Sequence, residues 1–370
     1  MVSKKPLRIL HVITTLSRGG AENQLLVLIK QQLNSGNTVR VLYLKDFPEH
    51  ARDLQEMGAE VILNCGNKHP LKQLIMMYKF FRGEKSEIDV IHSHLPRAQV
   101  LCAIAKGNIP MVATRHDTEI FFPGKPAILS RFLASYANNR ITYWIAISEA
   151  VKDSMLNSKE HRKNSKIVTV HYGYDPIFPE DFKVYKNKSS EMYTIGTVAR
   201  LVSQKDYPTL LKAFKIYLTH FPESHLLIVG DGPLRDQLEK LADELKIRSH
   251  ITWAGKIVDV YEKMKIMDIF VLASKTEGFG MVLLEAMDLG LPIVASDTTA
   301  IPEVLGSNGG VLFDTGDFED LAKKLTSIRV ASQEMELADK AKTRLKFFSP
   351  KKMKDNVEVI YQKALGMENK

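Results

Sequence analysis

The chain has 370 residues, 51 Lys and Arg against 43 Asp and Glu, a net charge of +8, and 45% hydrophobic and 25% charged residues, an ordinary globular composition. That length predicts two domains at roughly 150 residues each, and no apolar run reaches the ~18 residues that cross a bilayer. Two cysteines, Cys65 and Cys102, exclude a disulfide framework and a thiolate metal cluster and fit a reducing compartment, so a cytoplasmic protein is expected.

Leu7–Ile13 is a short apolar and β-branched run. A loop over Thr14–Gly20 follows, then Glu22–Leu33 with Leu25, Leu26, Leu28, Ile29 and Leu33 at helical spacing; this predicts strand, glycine loop, helix. The alternation is expected to continue through strand Thr38–Leu44, helix Pro48–Met57, strands Glu60–Leu63 and Val90–Ser93, helix Arg97–Ala105, and strands Met111–Thr114 and Trp144–Ile147, the last leading into helix Glu149–Leu156. After a polar stretch, Pro179–Glu191, the series restarts. It predicts strand Tyr193–Val198, helix Tyr207–Tyr217, strand Leu226–Val229, helix Leu234–Leu245, strand Ile251–Ala254 and helix Val258–Met264. Strand Ile269–Ala273, helix Met281–Met287, strand Pro292–Ala295, a short strand Val311–Phe313 and helix Phe318–Ile328 complete it. Strands alternating with helices predict two α/β, Rossmann-like, doubly wound parallel-sheet domains, 1–182 and 183–348, with ligands at the strands' carboxyl ends around a central cleft.

The charge belongs to the first of these. Residues 1–182 hold 24 Lys/Arg and 17 Asp/Glu, and residues 183–370 hold 27 and 26. Such an excess suits nucleic acid, an anionic substrate or an anionic membrane. No zinc-finger, RNP-type or basic-zipper pattern accompanies it, so nucleic acid is not the expected partner.

The segment Thr276-Glu277-Gly278-Phe279-Gly280-Met281 to Glu285 follows a predicted strand and opens a predicted helix. Its glycines permit close backbone approach, and the open N–H groups of a helix start attract phosphate. Glu277 and Glu285, eight residues apart, can share one side of the helix and accept from sugar hydroxyls; the bland alternative is a kinked turn with two surface acids. Arg200 and Lys205 lie just after a strand and suit a diphosphate, although two loop cations alone would prove nothing. The loops Gly230-Asp231-Gly232-Pro233 and Arg18-Gly19-Gly20-Ala21-Glu22 bear on the same crevice.

Together these motifs, in this order, resemble the family 4 glycosyltransferases of GT-B fold, retaining enzymes that move a sugar from a nucleotide sugar. The likeness covers nearly the whole chain and is strongest over 193–316. It implies that Arg200 and Lys205 hold the donor diphosphate, Glu277 the transferred sugar, Phe279, Gly280 and Met281 offer amides to both, and Glu285 binds the ribose. Gly19, Gly20 and Gly230 would lie against the donor, and His116, in Thr114-Arg115-His116-Asp117, matches the family's reaction-centre histidine. The resemblance also implies a last helix, within 349–370, that crosses back onto the first domain, and a donor that is a nucleotide-diphosphate sugar, UDP-linked by expectation.

Two departures stand out. Thr298-Thr299-Ala300-Ile301-Pro302-Glu303 lacks the family's usual glycine pair before the glutamate, and Ala273 stands where proline often precedes Ser274. With no Asp-x-Asp triplet and no His/Cys cluster at zinc spacing, no metal or other cofactor is expected. A nicotinamide oxidoreductase is the rival reading, but no Gly-x-Gly-x-x-Gly opens the first helix; a noncatalytic sugar-nucleotide-binding protein would have no need of His116.

The acceptor is expected to be a glycan or a lipid-linked molecule. Leu71–Arg82 reads as a helix whose stripe Leu71, Leu74, Ile75, Tyr78 and Phe81 packs inward. That leaves Met76, Met77 and Phe80 outside among Lys72, Lys79, Arg82 and Lys85, a surface for anionic lipid. Phe121-Phe122-Pro123-Gly124-Lys125 with Ile128–Tyr136 is a second acceptor-side candidate, a lid.

Overall fold

The computed structural model describes residues 5–45, 48–62, 69–84, 87–119, 121, 127–158, 166–184 and 192–367. Cys65, Lys85, residues 122–125 and most of the polar stretch before Tyr193 lie outside them. The chain divides into two units, Met1–Asp175 with Phe348–Lys370, and Pro176–Phe347.

The first unit runs β1 (Arg8–Ile13), α1 (Gly20–Asn34), β2 (Thr38–Tyr43), α2 (Ala51–Glu56), β3 (Glu60–Ile62), α3 (Pro70–Gly83), β4 (Val90–His94), α4 (Pro96–Ala105), β5 (Met111–Arg115), α5 (Ala127–Arg140), β6 (Tyr143–Ala146), α6 (Glu149–Asn157) and β7 (Ile167–Thr169). The second runs β8 (Thr194–Val198), α7 (Tyr207–His220), β9 (His225–Val229), α8 (Arg235–Glu244), β10 (Ile251–Gly255), α9 (Tyr261–Met264), β11 (Ile269–Leu272), α10 (Met281–Asp288), β12 (Ile293–Ser296), α11 (Ile301–Leu305), β13 (Val311–Phe313), α12 (Phe318–Val330) and α13 (Glu334–Leu345). Then α14 (Pro350–Ala364) returns the chain to the first unit.

Each unit is one parallel sheet, in the orders β3-β2-β1-β4-β5-β6-β7 and β10-β9-β8-β11-β12-β13. The central strands are buried on both faces, which is why they read as apolar runs rather than alternating ones. Strand order reverses between β1 and β4 and between β8 and β11, the switch points outside which ligands of such sheets bind. Helix starts carry their own signals. Ser148 Oγ accepts from Val151 N, Asp317 Oδ1 from the amides of Glu319 and Asp320, and Ser349 Oγ from Lys352 N ahead of Pro350, satisfying donors that a helix start leaves open.

Three expectations are corrected. The division falls after Asp175 rather than at 182: the amides of Ile177 and Phe178 donate to Asp288 Oδ2 at 2.7 and 3.4 Å, and Phe178 stacks on Phe182, tying this segment to the second unit. Phe348, placed in the second domain by the sequence, belongs to the first, where its carbonyl accepts from Tyr174 N at 2.7 Å. Most consequentially, α3 turns another face inward. Met77 and Phe81 are buried at 0 and 3% exposure, while Leu71, Ile75 and Tyr78 are exposed. The rotation is set by a polar anchor, Gln73, whose Nε2 donates to Leu44 O at 2.6 Å and whose Oε1 accepts from Arg97 Nε at 3.0 Å. The lipid surface built on outward Met77 therefore fails as stated.

Candidate functional site

At the second switch point, β8 delivers Arg200, exposed, and a short 3-10 turn, Ser203–Lys205. The neighbouring β11 delivers Ser274 through Gly280. The two loops are stitched together by Lys275 N, which donates to Gln204 O at 2.7 Å. Lys205 Nζ is ion-paired with Glu277 Oε1, and that oxygen also accepts from Ser274 Oγ at 2.8 Å. The backbone of Glu277 is fixed as well, its N donating to Thr299 Oγ1 at 2.8 Å. Lys205 and Glu277 thus hold each other in one geometry.

Thr299 explains the missing glycine. It has φ 45°, the left-handed region, where a β-branched residue is a strained outlier, and its hydroxyl is the acceptor that holds Glu277 N. Gly280, at φ 84°, turns the chain into α10 without a capping side chain, so the amides of that first turn lack a side-chain partner at the cap. Phe279 is buried, at 2% exposure. Met281 and Glu285 are half-buried on α10, and loss of water pushes the Glu285 carboxyl up to about 7. Gly230 has a packing reason of its own: a Cβ there would lie 2.0 Å from Ala199 O. Its loop runs beside the Arg200 loop, with Leu201 N donating to Asp231 O at 3.0 Å.

Gly19, Gly20 and His116 belong to the first unit, at the carboxyl ends of β1 and β5. A Cβ on Gly19 would strike Glu22 Oε2 at 2.5 Å, whereas one on Gly20 would meet nothing within 4 Å. Gly19 therefore makes room for the buried Glu22, which accepts from Thr15 Oγ1 at 2.6 Å, and Gly20 faces open space. His116 ends a series of imidazoles that the sequence reading missed. Its Nδ1 contacts Tyr172 OH at 2.5 Å and its Nε2 contacts His94 Nδ1 at 3.2 Å. His94 Nε2 meets His11 Nδ1 at 3.1 Å, and His11 Nε2 meets Gln32 Oε1 at 2.8 Å. Gln32 Nε2 donates to Tyr361 OH at 3.2 Å, and His92 is bound between Tyr361 OH and Thr114 Oγ1 at 2.6 and 2.7 Å. With Gln32 Oε1 as acceptor the series runs one way: Tyr172 donates to His116, His116 to His94, His94 to His11, and His11 to Gln32. Burial lowers these imidazoles, His11 to about 4 and His116 to about 3, the latter also through Arg115, and His92 and His94 well below the ordinary value. They are neutral near pH 7.

One nitrogen from each of His11, His92 and His94 lies within 4.8 Å of the other two, close enough to raise the question of a metal. All six ring nitrogens of these three histidines have protein partners in the series just given. The signal that could have found it is strand register, since His11 pairs with His92 and Ile13 with His94 across β1 and β4; linear spacing, eighty residues apart, does not reveal it.

Comparison with known proteins gives the family and the fold. Residues 18–177 match the model of Glycosyltransferase Family 4 and residues 179–344 that of Glycosyl transferases group 1. The chain belongs to the family 4 glycosyltransferases. It is 30% identical over 257 residues to N-acetyl-alpha-D-glucosaminyl L-malate synthase of Bacillus anthracis, a match covering 65% of each, just under two thirds of that relative. It is 26% identical over 327 residues to alpha-monoglucosyldiacylglycerol synthase of Acholeplasma laidlawii, covering 80% of this chain and 81% of the relative. Among solved structures, Anabaena HepE in complex with UDP superposes with a TM-score of 0.81 at 22% identity, covering 96% of this chain and 99% of that one. TarM reaches a TM-score of 0.77 at 12% identity, with 98% and 100% covered. These likenesses carry the fold, which is GT-B.

Proposed function

We propose that this glycosyltransferase moves a hexose from a UDP-sugar to a glycan or lipid-linked acceptor, with retention at the anomeric carbon and without a metal ion, in the synthesis of cell-surface polysaccharide or glycolipid. The observation that carries it is Glu277, held by Lys205, Ser274 and Thr299 beside the uncapped start of α10. UDP bound to HepE supports the donor base, and the likeness to alpha-monoglucosyldiacylglycerol synthase supports a lipid acceptor. Family membership disfavours a nicotinamide oxidoreductase.

The roles follow from charge. Breaking the anomeric C–O bond leaves negative charge on the diphosphate and positive character on the sugar carbon. Arg200, Lys205 and the α10 amides meet the first, lowering the barrier by stabilising the charge that develops. Glu277 accepts from sugar hydroxyls and Glu285 from the ribose; the resemblance gives Gly19, Gly20 and Gly230 donor contacts, of which only Gly20 has open space where a side chain would stand. The family resemblance gives His116, neutral, the role of a hydrogen-bonding group that adds no charge. The acceptor oxygen bonds the anomeric carbon on the face the diphosphate leaves, and its proton passes to the leaving phosphate oxygen.

A panel of radiolabelled nucleotide sugars, with and without excess EDTA, tests this. Slow hydrolysis of a UDP-sugar, unchanged by EDTA, is expected. Loss of turnover restored by magnesium or manganese overturns the metal-free reading, an inverted product anomer overturns retention, and turnover confined to another base overturns UDP.

A further inference from the structure

Within the first unit, α4 packs between α3 and α5, and none of the three helices contains an aspartate or a glutamate. Large apolar side chains nevertheless point to solvent from all of them. Leu71, Ile75 and Tyr78 are 60, 50 and 49% exposed on α3, and Ile128, Phe132 and Tyr136 are 83, 68 and 38% exposed on α5. The spacings, i, i+4, i+7 and i, i+4, i+8, give each helix an outward stripe, and Ile104 of α4 is 38% exposed. Exposed Lys72, Lys79, Arg82 and Arg131 lie on the same helices. The acid that follows α3, Glu84, is drawn into an ion pair with Arg40 at 3.0 Å, so it does not offset them. Single exposed apolar residues are ordinary on any surface; stripes on adjacent helices, all with charge of one sign, form a patch.

We propose that the outward face of α3, α4 and α5 docks on an anionic lipid bilayer. This rests on, and deepens, the lipid-linked acceptor of the proposed function. The charge chooses the occupant. A second copy of this chain, meeting the first across a self-complementary interface, would set cations against cations. Nucleic acid would leave Leu71, Ile75 and Ile128 against phosphate, with nothing to gain from them. A bilayer with anionic headgroups matches both parts: aliphatic stripes enter the boundary between headgroup and acyl chain, while lysine and arginine stems lie along it and keep their charges among the phosphates. Tyr78 and Tyr136 have the ring-and-hydroxyl form that favours that boundary.

Co-sedimentation of the full chain with vesicles tests it, using phosphatidylcholine alone and phosphatidylcholine mixed with phosphatidylglycerol. Binding is expected only to the mixed vesicles, and it falls as salt shortens the screening length below the ~8 Å of physiological ionic strength. The triple variant Ile75→Ser, Ile128→Ser, Phe132→Ser and the pair Lys72→Glu, Arg131→Glu should each lower the bound fraction at least tenfold, with unchanged circular dichroism. Wild-type chain left in the supernatant at low salt, or variants that bind as wild type does, would overturn the proposal. So would a dimer in sedimentation velocity that the triple variant dissolves while no vesicle is bound. Donor hydrolysis is read in parallel. Binding through this face by a chain that hydrolyses no nucleotide sugar keeps the surface and sinks the transferase reading, whereas hydrolysis without binding does the reverse.

Discussion

Lys205 and Glu277 restrain each other, so a change at either reaches both. Lys205→Ala removes the cation that the proposed function assigns to the diphosphate and leaves the Glu277 carboxylate with Ser274 as its remaining described side-chain partner. Turnover should fall at least ~10²-fold, as for lost oxyanion-type stabilisation, with an unchanged unfolding midpoint; turnover within a few-fold of wild type would remove Lys205 from the reaction. Thr299→Ser, which keeps the acceptor for Glu277 N, should be nearly silent beside Lys205→Ala. Glu285 gives a pH effect whose sign is fixed. Its carboxyl titrates near 7 in the folded chain against an ordinary 4.5, so the folded state keeps a proton that the unfolded chain has released. Stability from this group is therefore lost as pH rises from about 4.5 to about 7, and the loss is complete above that. Glu285→Gln should raise stability at pH 8 by ~2 kcal/mol, flatten the pH dependence of urea unfolding and weaken donor binding. A variant no more stable than wild type at pH 8 would contradict the buried-charge account. At this scale the sequence was legible where the signal is local, as with Gly280, whose left-handed turn opens α10; Glu277 lies before that helix and Glu285 on it. Thr299 was legible only as a departure, because its left-handed backbone and its bond to Glu277 are properties of the folded loop.

Helix α3 shows what periodicity leaves undecided. Apolar side chains lie on nearly every side of it, so a 3.6-residue stripe can be drawn along more than one face. The choice is made by Gln73 through Leu44 O and Arg97, residues distant in sequence. Met77→Ala should accordingly cost ~2–4 kcal/mol, the loss from emptying a packed site, while Ile75→Ala should change stability by less than ~0.5 kcal/mol. Equal effects of the two in urea unfolding would restore the opposite rotation. Other elements were missed for related reasons. The inward face of α13 is Ala338, Ala341 and Leu345, with Glu334 and Lys342 also buried, which makes no apolar stripe. β7 is three residues long and half-buried, below what alternation can resolve. The imidazole series arises from register between β1, β4 and β5, which local sequence does not encode.

Over the whole molecule, the alternation of strands and helices carried the two-sheet architecture, because every crossover is a local pattern repeated. The return of the last helix had no such signal; its periodicity predicts an amphipathic helix without saying which surface receives it. The receiving surface is the far end of the chain in sequence. Tyr361 is fully buried, bonded to His92 Nδ1 and Gln32 Nε2, and Glu358 Oε1 accepts from Asn37 Nδ2 at 2.8 Å. Gly173 makes room for the start of the helix, since a Cβ there would lie 2.6 Å from Pro350 Cα. Tyr361→Phe keeps the ring and deletes the hydroxyl, leaving a buried imidazole nitrogen and a buried amide without that partner, a loss of about 1–3 kcal/mol. Because those groups lie in α1, β4 and α14, the effect should be confined to one unit. Hydrogen exchange followed by mass spectrometry should show faster exchange in 5–175 and 348–367 and unchanged protection in 176–347. Equal acceleration in both would mean that the units open together, and no acceleration in either would mean that the hydroxyl does not hold the two ends of the chain.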